Sequence, residues 1–135
     1  MKIIHESEVG EKKVPGRFIR WIADDTTLRP KYLSSCVIRV MPGETVKPAH
    51  SHPAGEEFIY VISGTGEAWV EGEIKPMRAG TAVLFEQGQV HMLRNKGKDE
   101  MKVVCFFAPP TGLENYKFVE GIEFTEKNAG KGKPR

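Results

Sequence analysis

Cysteine is scarce in this chain: Cys36 and Cys105 are the whole supply. Two thiols cannot frame a disulfide-held scaffold, so the fold must rest on a packed core. Neither sign of charge dominates. The 20 basic and 18 acidic residues leave a formal net charge of +2, too small to argue for a nucleic-acid partner. Part of the basic excess lies in 127–135, which reads as a solvated, disordered tail. No apolar run approaches the length of a membrane span. Met1 to Glu6 meets charge at once and contains no apolar leader core. The expectation is a cytoplasmic protein without a membrane partner.

A sustained helical period is also missing. What is there instead is a series of short β-type runs separated by turn residues. Across the 135 residues, 39% hydrophobic and 28% charged content fit one globular domain with a real core. Ser35–Met41, Thr45–His52, Glu57–Ser63, Glu67–Glu71, Glu73–Arg78, Ala82–Glu86, Val90–Asn95 and Met101–Ala108 all read as strands. Gly64-Thr65-Gly66 reads as a hairpin turn into the following strand. Pro48 cannot donate to a ladder, so it belongs at an edge or a bulge. Many short strands at regular spacing argue for an antiparallel sandwich or small barrel. Residues 1–33 then add one or two strands, with Phe18 to Ile22 the best candidate, packed on the barrel or on a dimer partner. Residues 34–108 form the barrel and 109–126 a C-terminal extension. Leu113 to Phe124 stays open between a helical turn and a last extended piece.

His50, His52, Glu57 and His91 carry the chemistry. His50 and His52 are two apart in a strand, so both side chains leave one face. Pairing of the next strand with the first would bring the Glu57 carboxylate to that face. Closure of the sheet would set His91 opposite. Three imidazoles and a carboxylate suit iron, manganese, nickel or zinc. On a six-coordinate ion they leave two positions for water, dioxygen or a chelating substrate. Glu56 points the other way along its strand, and His5 stands far from both clusters.

These residues closely resemble the paired motifs of the cupin superfamily. The first family motif runs Gly, five residues, His-x-His, three or four residues, Glu, six residues, Gly. Gly43, His50, His52, Glu57 and Gly64 match it, except that six residues separate Gly43 from His50. The second motif is met by Gly80, Gly88, His91 and Asn95, with Glu86 where the family has proline. The resemblance covers about Ser34 to Ala108. It implies an all-β, double-stranded β-helix or jelly-roll barrel. It also implies one divalent transition metal per chain, held by His50, His52, Glu57 and His91.

Small cupins resembling this one are commonly homodimers formed by exchange of N-terminal strands. Phe58, Tyr60 and Ile62 face outward if Glu57, Ile59 and Val61 face inward, so a second sheet or subunit should cover them. Arg39 and Lys47 are candidates to hold an anionic substrate. Cys105 is a core cysteine on its local sequence, and a pocket-lining one by analogy with similar cupins. Cys36 reads as core. Cupins with this ligand set include dioxygenases and other oxidoreductases, decarboxylases, lyases and sugar isomerases. Without a spare histidine or inward carboxylate, acid–base isomerisation is disfavoured and redox chemistry mildly favoured. The leading expectation is a metal-dependent enzyme acting on a small organic substrate. The alternative is a non-catalytic cupin that binds or senses a small molecule or metal. A metal-free, epimerase-like cupin ranks last, because all four ligand positions are filled.

Overall fold

The computed structural model of the chain describes residues 1–126, so the tail assigned to 127–135 lies outside the described residues. The strands are β1 (Lys12–Val14), β2 (Arg17–Ala23), β3 (Ser34–Val40), β4 (Thr45–Ser51), β5 (Glu56–Ser63) and β6 (Thr65–Val70). They continue with β7 (Glu73–Arg78), β8 (Ala82–Phe85), β9 (His91–Arg94), β10 (Met101–Ala108) and β11 (Lys117–Val119). Two antiparallel sheets, ordered β1-β2-β3-β10-β5-β8 and β11-β4-β9-β6-β7, face each other as a jelly roll. Among the described residues no helix is long and apolar enough to cross a membrane.

Period-two alternation positions the core. In β5, Glu57, Ile59 and Val61 are buried. The intervening Phe58, Tyr60 and Ile62 are 40%, 43% and 46% exposed. Ile59 and Val61 join Ile38, Leu93, Met101 and Val103 in one apolar core between the two sheets. Each such side chain fully buried contributes about 1.5–3 kcal/mol. Leu84 and Phe106 extend the outward apolar strip on the neighbouring strands β8 and β10.

Two local expectations change. Gly64-Thr65 does not close a hairpin: β5 and β6 belong to different sheets, and the chain crosses between them there. Gly64 has φ +84°, and a Cβ would overlap the Glu100 carbonyl, so the crossing requires glycine. The tight hairpin is instead β6–β7. Its two turn residues, Glu71 and Gly72, have φ of 49° and 93°, as a type I′ turn demands.

The second change concerns the ligand strands. β5 does not pair with β4; its neighbours are β10 and β8. The partner of β4 is β9, with His50 directly across from His91. The chain crosses to the opposite sheet between β4 and β5 and back again between β5 and β6. His91 therefore sits beside His50, and Glu57 reaches towards them from the opposite sheet. Register slips between Val46 and His50, where Pro48 interrupts the ladder.

The open C-terminal segment resolves into a 3-10 turn at Leu113–Asn115 and then β11. Lys117, Phe118 and Val119 of β11 pair with Ser51, His50 and Ala49 of β4. The C-terminus thus lies along the strand that carries two of the histidines.

Candidate metal centre

His50, His52, Glu57 and His91 converge inside the barrel, their candidate ligand atoms all within 4.8 Å of one another. All four residues are buried. His52 Nε2 lies 2.8 Å and His91 Nε2 3.1 Å from Glu57 Oε1. His50 Nδ1 lies 3.2 Å from the Pro48 carbonyl, and His91 Nδ1 3.0 Å from that of Gln89. Those carbonyls can only accept, so each Nδ1 donates, and on a neutral ring that leaves Nε2 free to bind a cation. Backbone anchoring of the far nitrogen is the usual support for a metal-ligating histidine. Phe85 stacks on His91 at 3.9 Å and 5°, fixing that ring further.

Elementary electrostatics shows why this donor set fits a cation. A lone pair on His91 Nε2 facing a carboxylate oxygen is repulsive unless a proton or a metal ion stands between them. Burial pushes the Glu57 carboxyl up, but its contacts with His52 and His91 outweigh that and hold it well below the ordinary carboxylate range. Burial, reinforced by His91, lowers His50 to about 3, so its imidazole is neutral at physiological pH. An ionised carboxylate beside a neutral His50 imidazole suits metal ligation, which needs deprotonated ligands. His52 Nδ1 is buried without a hydrogen-bond partner.

His50, Glu57 and His91 line a small cavity of about 20 Å³ with residues from most of the barrel strands. That is room for about one water molecule. Arg17 and Ile19 enter from β2, Cys36 from β3, Cys105 from β10, and Tyr116 from the C-terminal segment. The Tyr116 ring stacks on His50 (4.8 Å, 18°) and meets His52 edge-on at 4.5 Å. Burial, with the Glu57 charge adding to it, raises the Tyr116 phenol well above its ordinary value. The Cys105 thiol is raised by its hydrogen bond with Cys36, then by burial. Both groups are therefore protonated at neutral pH, and Cys105 is not an activated nucleophile.

The remaining sequence candidates separate clearly. Cys105 and Cys36 line the cavity. Arg39 does not: its guanidinium is held outside by Glu11 at 2.7 Å and Glu100 at 2.7 Å, over the Phe18 ring. Lys47 is exposed and lines an outer groove with Pro48 and Phe118. Glu56 is exposed, and His5 caps a 3-10 turn near the N-terminus. Arg17 and Tyr116 were not singled out from the sequence. Parity with Ile19 was the signal for Arg17. No local pattern marked Tyr116, because it joins a 3-10 turn to a strand of only three residues.

The family model for the cupin domain matches residues 36–107, the segment that carries all four converging residues. This chain belongs to the cupin family. Protein SchB of Streptomyces halstedii is 30% identical over 108 residues, covering 80% of this chain and 78% of that one. Polyketide synthase CurC of Streptomyces cyaneus is 27% identical over 110 residues, covering 80% and 70%. Among solved structures, the polyketide cyclase RemF from Streptomyces resistomycificus superposes with a TM-score of 0.74 at 20% identity. It covers 92% of this cupin and 89% of its own chain. That likeness speaks for the fold.

Proposed function

We propose that this cupin is a metal-dependent enzyme that transforms a small organic substrate at a centre formed by His50, His52, Glu57 and His91. The observation that carries the reading is the buried convergence of three ring-nitrogen donors and one ionised carboxylate, with two far nitrogens anchored on backbone carbonyls. A divalent transition ion held there would supply Lewis-acid activation of a substrate carbonyl, enol or carboxylate oxygen. The chain's own residues supply the rest. Phe85 and Tyr116 shield the histidines from water. The protonated Tyr116 hydroxyl is the one side-chain acid on the cavity wall besides the thiols, so it donates to an oxygen on which negative charge develops.

Tyr116 changes the balance between reaction types. A site without a proton donor would favour redox chemistry. With a buried phenol at the site, enolisation, carbon–carbon bond formation and elimination become the better supported classes. The relative named as a polyketide synthase, CurC, lends support to the choice.

The test is a two-part assay on purified protein: metal content by elemental analysis, then NMR detection of turnover with a panel of small diketones and keto acids. Loss of both metal and turnover in His91→Ala supports the enzyme reading. Metal without turnover across the panel favours the non-catalytic binder.

The same reading takes the protein as a homodimer. Phe58, Tyr60, Ile62, Leu84 and Phe106 form one exposed apolar face on β5, β8 and β10, of a kind that a second subunit covers.

A further inference from the structure

Arg17 is the one strongly basic side chain in the barrel cavity. It is 5% exposed, and a guanidinium cannot shed its charge in a protein. Buried charges are ordinarily paired, because desolvation without a partner is costly. Every other arginine that the fold tucks against the barrel follows that rule: Arg20 and Arg39 meet Glu11, and Arg94 meets Glu67. Arg17 has one hydrogen bond, from Nη1 to the Pro15 carbonyl at 2.9 Å. Among the described residues it has no carboxylate within 4 Å.

Its position is built rather than incidental. The β1–β2 turn is closed by Gly16 at φ +81°, where a Cβ would overlap the Thr45 carbonyl of β4. That close approach drives the start of β2 against the opposite sheet. Arg17 then shares a cavity wall with His50, Glu57 and His91. Its charge and that of a divalent ion would together exceed the single negative charge of Glu57 by two, in a low-dielectric interior. Such a site favours an anion.

We propose that Arg17 is the anion-binding residue of this site, and that it receives the carboxylate of a small organic acid whose other end faces the histidine cluster. The inference deepens the enzyme reading above and rests on it for the role of the cluster. A carboxylate is the anion best matched to the planar guanidinium fork, which binds it through two parallel hydrogen bonds. The apolar walls set by Ile19, Ile38, Val46 and Leu93 suit a short hydrocarbon body. Entry follows from the same geometry. The cavity has room for about one water, and Tyr116 is the lining residue that does not belong to a barrel strand. A ligand enters when Tyr116 swings away from His50. On its outer side Arg17 also borders an apolar groove of about 450 Å³, walled by Val14, Pro15, Leu113 and Phe118. That groove leads a ligand from solvent to the guanidinium.

The test is calorimetric titration of sodium butyrate, with methyl butyrate as the uncharged control, into zinc-loaded and zinc-free protein. Butyrate binds and the ester does not. Arg17→Gln weakens butyrate by about ten- to a hundredfold, and Arg17→Lys, which keeps the charge but not the fork, falls between. Zinc stoichiometry and the circular dichroism spectrum of both variants match the parent. Tyr116→Ala strengthens binding of the bulkier benzoate by opening the wall. Equal butyrate affinity in Arg17→Gln, equal binding of the ester, or no butyrate binding by the parent protein overturns the anion site. Unchanged benzoate affinity in Tyr116→Ala overturns the entry route. A protein that takes up zinc but ignores butyrate refutes this inference alone. An Arg17-dependent butyrate site in a protein that never holds metal refutes the metal centre alone.

Discussion

Acidification should weaken the metal-free protein through His50, by an amount that the structure sets. An imidazole in solution titrates near 6.5, whereas burial beside His91 lowers His50 to about 3. Between those values the unfolded chain binds a proton at this position and the folded chain does not. Stability therefore rises with pH across that window. The contribution is fully present above about pH 6.5 and is lost as the pH falls towards 3. From pH 7 to pH 5 the loss is about 2 kcal/mol, from about 1.4 kcal/mol per unit below 6.5. For a domain of this size that lowers the melting temperature by about 8 °C. Glu57 acts in the same direction, but only once the pH drops below the ordinary carboxylate range, because its folded value is also depressed. The assay is thermal unfolding in chelator at pH 5 and pH 7, for the parent and for His50→Gln. The variant should lack this share of the acid loss, so the gap between the two proteins should change by about 2 kcal/mol across the range. A pH-independent gap refutes the burial argument for His50.

Other outcomes follow from particular contacts. Glu57→Gln removes the ionised ligand that reaches across from the second sheet, and should lower metal affinity by more than about a hundredfold in equilibrium dialysis, beyond what loss of a supporting contact costs. Asn95 is 1% exposed, donates to the Val40 and Asp99 carbonyls, and accepts from the Gly97 amide. Asn95→Ala should cost about 3 kcal/mol in denaturant unfolding while leaving metal stoichiometry unchanged; a neutral effect would refute its stapling of the β9–β10 loop. Tyr116→Phe should keep metal content and reduce turnover by about a hundredfold, whereas a drop in metal content alone would assign Tyr116 to shielding. Ile62→Asp, on the outward apolar face, should convert a dimer to a monomer in analytical ultracentrifugation; a dimer unchanged in mass places the interface elsewhere.

Much of the site was legible because its signals are local. Alternation in β5 assigned Glu57, Ile59 and Val61 inward and Phe58, Tyr60 and Ile62 outward, and their burial follows that pattern. The two-residue spacing of His50 and His52 set both rings on one face in the same way. What escaped the sequence was non-local. Whether β5 pairs with β4 or crosses to the other sheet depends on the whole jelly-roll wrap, and no residue in 52–57 reveals it. Arg17, Arg39 and Lys47 are all cations on or beside strands. Only the tertiary arrangement separates a guanidinium held by Glu11 and Glu100 from one turned into the cavity. Tyr116 lies in a segment whose strand exists because β4 offers it an edge. Propensity over three residues could not have announced it.

Metal content is the most direct test of the central claim. The protein, expressed without an affinity tag in medium supplemented with iron, manganese, nickel and zinc, is purified and analysed for each element beside His91→Ala and Glu57→Gln. The expected result is about one equivalent of a divalent transition metal per chain in the parent and little in either variant. A folded parent that carries no metal and takes up none on titration would contradict it.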